Sequence, residues 1–415
     1  MDSDRTILHD YLDYQKLYSD KYGEYTIVLM EVGSFFEIYG IETDELLLGK
    51  VSEISDLLNI QKTRKNKSNP IEDYSNPRMA GIPSFSLPKY LNVLLNNNYT
   101  VVLIEQVTPP PKPKREVTKI MSPGTNIYEN NVESNNLMSI YIEYVKQYNN
   151  TELPSIGISI IDSSVGSNII FETVSPIDDT DFAIEEIFRM IQVYNPKEIL
   201  INCKNCNKDK DEIISFFELN NKIVHVNIDN LKTDIFINNY QNALLGKIFK
   251  DTGMLTPIEY LDLEKTIYGL YSYIFLLEFA YEHDERILEK ITKPKIEESN
   301  KLLLLANNSI QQLNIVSCNN TNTRNNSLIG LINKTTTPMG KRLFKERLLN
   351  PVIDSNILNK RYSNIENFIE NKKYDNYEKI LNRIHDIARL HRRMELGELH
   401  PSEFSTLDLS YISIN

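Results

Sequence analysis

The chain has 415 residues, of which 41% are hydrophobic and 25% charged, and its formal net charge is −12. That length suits roughly two to four domains, no apolar run approaches the ~18–20 residues of a membrane span, and the acidic opening MDSDRTILHDYLDYQ has no h-region, so it is not a signal peptide. The acidic total argues against a general nucleic-acid binder.

The elements expected in chain order begin with a helix over LHDYLDYQKLYSDKY, with Leu8, Tyr11, Leu12 and Tyr18 at helical spacing. A strand follows at 25–31, and LMEVGSFFEIYG then reads as an apolar strand, a Gly33-Ser34 turn and a second extended segment. Alternation places Phe35, Glu37 and Tyr39 on one face of that segment. TDELLLGKVSEISDLLNI predicts a second helix with Leu47, Val51, Ile54 and Leu58 on one face. A basic polar loop covers 61–77, SLPKYLNVLLNN is a third helix, YTVVLIEQV a buried strand and TPPPKPKRE a proline-rich loop.

From 155 the pattern changes. SIGISIID and NIIFETV predict a hairpin, DTDFAIEEIFRMIQVYN an amphipathic helix, and KEILIN and KIVHVNI strands separated by a further helix, which together make a second α/β domain. From 258 the chain is expected to be mostly helical: a long helix over EYLDLEKTIYGLYSYIFLLEFAYEH, an extended patch LLLLANNSIQQLNIV, and helices near 338–349, 355–372 and 376–395. Thr337-Pro338 reads as an N-cap with proline at the first helical position, and Pro351 as a stop.

Charge is unevenly spread. QKTRKNK, residues 61–67, has four basic groups and no acid, and KPKREVTK, 112–119, has four against Glu116 alone. Lys62, Arg64, Lys65, Lys67, Arg78 and Arg115 are therefore the candidates for neutralising phosphates, with Ser34 beside the turn. Cys203, Cys206 and Cys318 are few and odd in number, which suits reducing conditions. The Cys203-x-x-Cys206 pair has no second pair or H-x-x-x-H to complete a zinc site, so it is expected to be two loop thiols, and no metal is expected. G-x-x-x-x-G-K-S/T, G-x-S-x-G, H-E-x-x-H and G-x-G-x-x-G are all missing from the sequence, and TPMGKR has Arg342 where a Mg²⁺-binding hydroxyl belongs. No catalytic residue is proposed. The richness in Asn, Ile, Lys and Tyr, with no Trp, is the bias of an AT-rich coding genome and suits an organelle, a parasite or a large DNA virus.

A phenylalanine on a rigid strand is suited to wedge between base pairs from the minor groove, at a cost of ~a few kcal/mol of unstacking per step. A mispaired or unpaired base is already poorly stacked and costs less. A carboxylate beside the wedge is repelled by phosphates unless it bonds a base edge, which the protonated acid does well.

VGSFFEIYG resembles the G-D-F-Y-E motif of the MutS DNA mismatch-repair family, with Ser34 in place of Asp and Phe36 in place of Tyr. RMAGIPSFSLPKYLNVLLNNNYTVVLIEQV resembles that family's M-A-G-I-P segment and its C-E-Q strand, with Ile104 in place of Cys. KREVTKIMSPGT, ISIIDSSVG, NPKEILI, TTTPMGKRLFKERLLNPVIDSNILNKRYSNIENF and IHDIARLHRRMELGELHPSEF resemble later family segments in the same order. The resemblance implies a multidomain α/β plus α fold: a mixed-sheet α/β mismatch-binding domain at 1–128, a ribonuclease-H-like α/β connector at 129–255, and an incomplete, mostly helical core domain at 256–415. It implies that Phe35 and Glu37 read mispaired or unpaired bases in duplex DNA and kink it.

It also implies that the family's ATPase domain, with ATP and Mg, lies outside this chain, so the chain is expected to be no enzyme, to need no cofactor of its own, and to be a fragment, split product or truncated relative. Expected partners are mismatched or looped duplex DNA, a downstream repair protein through the connector, and a C-terminal ATPase half on another chain; no membrane partner is expected. The protein is expected to be intracellular, in cytoplasm, nucleoid or organelle, or virus-encoded. Two alternatives stand beside this reading. One is a non-catalytic interaction subunit without DNA affinity of its own. The other is a ribonuclease-H-like nuclease, for which Asp162 is the placed carboxylate.

Overall fold

The computed structural model describes residues 7–414 apart from 44–45, 70, 110–112, 129–131, 149, 298–301, 304, 306–308, 317–326 and 371–373. Cys318 and Lys112 lie outside the described residues. The chain divides into two compact units, Met1–Glu129 with Ala280–Glu285, and Asn130–Phe279 with Arg286–Asn415. Both are mixed α/β, and the second carries most of the helices.

In the first unit α1 (Ile7–Tyr22) is followed by β1 (Thr26–Val32), β2 (Phe35–Glu42), β3 (Leu47–Leu48), α2 (Val51–Leu58), β4 (Thr63–Arg64), β5 (Arg78–Pro83), α3 (Leu87–Asn96), β6 (Thr100–Gln106) and β7 (Arg115–Met121). The strands order as β4-β5-β2-β1-β6-β7, with β3 on β2. Among the described residues of this unit only β1 and β6 run parallel; the other pairs are antiparallel. Central strands β1 and β6 are covered on both faces, so TIVLM and TVVLI read as continuous apolar runs without alternation. Leu87, Leu91, Leu94 and Leu95 of α3 make one buried stripe at helical spacing. Each such side chain contributes ~1.5–3 kcal/mol by leaving water.

The helix expected over TDELLLGKVSEISDLLNI is shorter. Leu47-Leu48 pair with Ile41 and Glu42 as β3, and α2 begins only at Val51. Gly49 separates them at φ +76, a conformation that a right-handed helix cannot contain. The basic loop 61–77 is ordered around Asn76, which is 2% exposed. Its amide donates to Asn69 O (3.1 Å) and Ile71 O (2.9 Å), and its Oδ1 accepts from Asn66 N (2.7 Å).

In the second unit β8 (Asn136–Lys146), β9 (Glu152–Asp162) and β10 (Ser167–Val174) form an antiparallel meander. After α4 (Phe182–Tyr194) comes β11 (Glu198–Lys204), and after α5 (Lys210–Phe216) comes β12 (Ile223–Ile228); β11 runs parallel to both β8 and β12. Sequence reading did not find β8, although it lies next to β9 along its whole length. Nor did it find β13 (Lys295–Glu297), which pairs with Ile169–Phe171 at the far edge.

α6 (Asn238–Ile248), α7 (Pro257–Tyr260) and α8 (Ile267–His283) follow. The single long helix expected from 259 is interrupted: Asp262 sits at φ +60 and Leu263 N returns to Ile258 O, closing α7 before α8 starts. α9 (Ser309–Gln312) lies within the patch expected to be extended. α10 (Leu328–Ile332), α11 (Pro338–Leu349), α12 (Ser355–Glu370), α13 (Tyr374–Leu381), α14 (Ile387–Glu395) and α15 (Pro401–Ile414) complete the unit. Thr337 caps α11 by accepting from Gly340 N (3.1 Å), with Pro338 at the first helical position. The helix expected over 376–395 is two helices, α13 and α14, with a turn between them. No described helix is long and apolar enough to cross a membrane.

Candidate nucleic-acid interface

The β1–β2 hairpin turns in two residues. Val32 pairs with Phe35, and Gly33 takes φ +63, the positive value a type II′ turn requires at its first position. Ser34 is exposed at the tip, and Ser84 N donates to Ser34 O (2.9 Å), tying the turn to the segment after β5. Phe35 therefore starts a strand held by ladders on both sides, opposite Val32 and Pro83. Its side chain is 44% exposed, while Phe36 and Ile38 on the opposite face are buried in the core.

Glu37 and Tyr39 share the face of Phe35. The Tyr39 hydroxyl donates to Glu37 Oε2, and the Tyr39 ring meets Tyr11 of α1 edge-on at 5.4 Å. α1 thus closes one end of this face, and Phe35 stays open at the other. Burial raises the Glu37 carboxyl above the ordinary range, against the opposing effects of the Tyr39 hydrogen bond and the Arg115 charge. Arg115 is positioned from β7, where its Nε donates to Glu31 O (2.9 Å). Gln106 Nε2 bonds the same carbonyl (3.0 Å), and Gln106 N donates to the Glu31 carboxylate (2.7 Å).

The expected basic residues divide by what they touch. Lys62, Arg64, Lys67 and Arg78 line one depression of about 400 Å³ together with Glu72. Arg78 is fully engaged there: Nε and Nη2 bond Glu72 Oε1 (2.9 and 2.6 Å), and Nη1 bonds Glu42 Oε2 (2.8 Å) and Ser52 Oγ (3.0 Å). The Arg78 donors thus hold protein carboxylates and fix β5 in place. Arg64 lies 3.6 Å from Glu72 and donates to Asn69 O (3.0 Å), and Lys62 pairs with Asp56 (2.8 Å). Lys65 and Lys67 are exposed.

Phe85 was missed in the sequence. It is 90% exposed on the 3₁₀ turn Ser84–Ser86, the segment hydrogen-bonded to Ser34. The signal was available: a lone aromatic between serines, directly after the strand that ends in Pro83.

In the second unit Asp162 does turn work. Its Oδ1 accepts from Ser164 N (3.0 Å) and Ser164 Oγ (2.6 Å). Among the described residues no group of three or more His, Cys, Asp or Glu is placed to hold a metal ion. Cys203 is buried and Cys206 partly buried, both as free thiols, and burial pushes the Cys203 thiol up, away from reactivity.

Two family models match: MutS domain I over residues 11–130 and MutS domain III over 308–413. Aligned over 99% of its length, the chain is 35% identical to a putative DNA mismatch repair protein, a mutS homologue, of Acanthamoeba polyphaga mimivirus, and it covers 39% of that protein. It is 27% identical to the DNA mismatch repair proteins MutS of Caldanaerobacter subterraneus and Fervidobacterium nodosum, with 97% of this chain and 42% of each relative aligned. The chain belongs to the MutS family and corresponds to its N-terminal region. It spans about two fifths of the length of the curated relatives it matches.

Proposed function

We propose that these residues form the lesion-reading part of a DNA mismatch-repair protein, binding mispaired or unpaired bases in duplex DNA from the minor groove. The observation that carries this reading is the position of Phe35: half exposed, at the tip of a two-residue hairpin, fixed by strands on both sides, with Glu37 on the same face. Phe35 is the wedge. Glu37, whose proton is held more firmly than usual, is its hydrogen-bonding partner at the base edge. Lys62, Arg64, Lys65, Lys67, Arg115 and Ser34 make the backbone contacts, and Phe85 is a second apolar contact beside the wedge.

In this reading residues 1–128 bind the lesion, 129–255 are a connector and 256–415 belong to the helical core. An antiparallel meander extended by two parallel strands, in the order β12-β11-β8-β9-β10, supports a ribonuclease-H-like assignment for the connector. The activity proposed for these residues is binding. ATP and Mg chemistry belongs to family parts that neither matched domain represents, whether on the same chain or another. The connector is the proposed docking site for a downstream repair protein.

The test is fluorescence anisotropy at one fixed salt with matched, G·T and single-unpaired-T duplexes, for the wild type and Phe35→Ala. Tighter binding of the two defective duplexes, erased by Phe35→Ala, is the expected result. Equal binding of all three by the wild type would move the interaction-subunit reading to first place.

A further inference from the structure

A cavity of about 410 Å³ in the second unit lies among β8–β10, the C-terminal end of α4 and the helix α11. Its walls carry three lysines from distant parts of the chain: Lys197, just before β11, Lys222, just before β12, and Lys345, on α11. Lys222 is more buried than a surface lysine, and its Nζ donates to two neutral acceptors, Asn195 Oδ1 (2.5 Å) and Pro196 O (2.9 Å). Among the described residues it has no carboxylate at ion-pair distance. Burial and the nearby Lys345 charge both push the Lys222 ammonium below its ordinary value. Lys345 meets one carboxylate, Glu133.

The other charged groups on the walls are largely committed elsewhere. Arg342 is clamped by Asp386 and bonded to Val132 O (3.3 Å), and Asp162 is held by Ser164. Glu346 and Lys197 complete the charged lining, and Ile160, Ile169 and Val193 give the wall an apolar stretch. Within this mixed lining Lys222 is held only by neutral oxygens, with the Lys345 ammonium close by. Such an arrangement is stabilised by an anion that both ammonium groups can reach.

We propose that this cavity is a binding site for the phosphate group of a small organic phosphate, held between Lys222 and Lys345 with its organic part against the apolar wall. A single phosphate fills only part of the space, and the apolar residues suit a ring or short carbon skeleton. Because Lys222 lies at the strand side of the cavity and Lys345 on α11, the bound anion ties the sheet to the helices of this unit. The proposal does not depend on the reading of the hairpin in the first unit.

The test uses the full chain at constant ionic strength, made up with sodium chloride. The thermal midpoint is followed against millimolar inorganic phosphate, adenosine 5′-monophosphate and adenosine, and phosphorus NMR line width reports binding directly. The expected result is a saturable rise of about 2–4 °C with the phosphates, no rise with adenosine, and loss of the saturable rise in Lys222→Met and in Lys345→Met but not in Lys16→Met. A tighter response to the monophosphate than to inorganic phosphate assigns an organic phosphate; an equal response assigns the phosphate group alone. If Lys222→Met does not fold, the Lys345→Met titration and line width decide. An unsaturable rise shared by every variant, or no rise and no line broadening in the wild type, would overturn the site.

Discussion

Gly81 on β5 stands directly opposite Glu37 on β2, and a Cβ placed on it would come within 3.5 Å of Glu37 Cγ and 3.7 Å of Phe35 Cδ1. The smallest residue of the ladder thus lies beneath the two side chains proposed to meet the base. Those distances are ordinary van der Waals contact, so Gly81→Ala is expected to fold normally. Gly81→Leu adds bulk that covers Glu37, and discrimination between unpaired-T and matched duplex should fall by roughly tenfold, or ~1.4 kcal/mol. Parallel anisotropy titrations of the two variants check this, and an unchanged ratio in Gly81→Leu would refute the role of this face.

Glu37 gives a pH dependence with a definite sign. Its folded-state carboxyl is raised, so in the window between the unfolded and folded values the native state keeps a proton that the unfolded chain has released. Stability then falls as pH rises through that window, and the loss is complete above it. Glu37→Gln keeps an acceptor for the Tyr39 hydroxyl and removes the titration. The difference in unfolding midpoint between Glu37→Gln and wild type should be small in acid and grow to a plateau favouring the variant above the window. A difference that does not change with pH rejects the assignment.

Phosphate contacts and apolar contacts separate by salt. Lys65→Ala and Lys67→Ala should weaken matched and defective duplexes alike, and each should reduce the slope of log affinity against log salt by about 1. Phe85→Ala should leave that slope unchanged and weaken binding. Being 90% exposed, Phe85 should change stability by no more than about 0.5 kcal/mol when replaced. Denaturant melts beside salt-series anisotropy distinguish the two classes.

In the second unit Arg342 bonds Asp386 through both Nη atoms, at 2.6 and 2.8 Å, with both side chains largely shielded from water. Burial raises the Asp386 carboxyl, but the Arg342 hydrogen bonds and charge outweigh it and hold it below the ordinary range. The pair's contribution is therefore present above the unfolded-state value and is lost as pH falls through the lower folded-state value. Asp386→Asn should destabilise by ~3–5 kcal/mol at neutral pH, because it leaves a shielded guanidinium without its counter-charge. The destabilisation should shrink in acid. Urea melts at neutral and acidic pH measure both.

What the sequence disclosed was local. The Gly33 turn, the alternation from Phe35 to Tyr39 and the helix over SLPKYLNVLLNN follow from a few neighbouring residues, and each is present. What it concealed was long-range. Leu47-Leu48 beside Leu46 fits a helix or a strand equally, and pairing with Ile41 and Glu42 decides for the strand. β8 has no clean alternation because it is buried over most of its length. Arg78 looks like any basic residue next to a basic loop. Its partner Glu42 lies 36 residues away in sequence, and only folding of β2 against β5 brings them together.

On the proposed reading, the hairpin that presents Phe35 also limits how lesions are told apart. Its backbone is bonded on both sides and its turn is tethered through Ser84 and Ser34, so the tip has little compliance. For the proposed reading, the nucleic acid must supply the bending. The protein then acts as a stiff probe pressed against a softer rod, and its ranking of lesions should follow how easily each step yields, ahead of which bases are present.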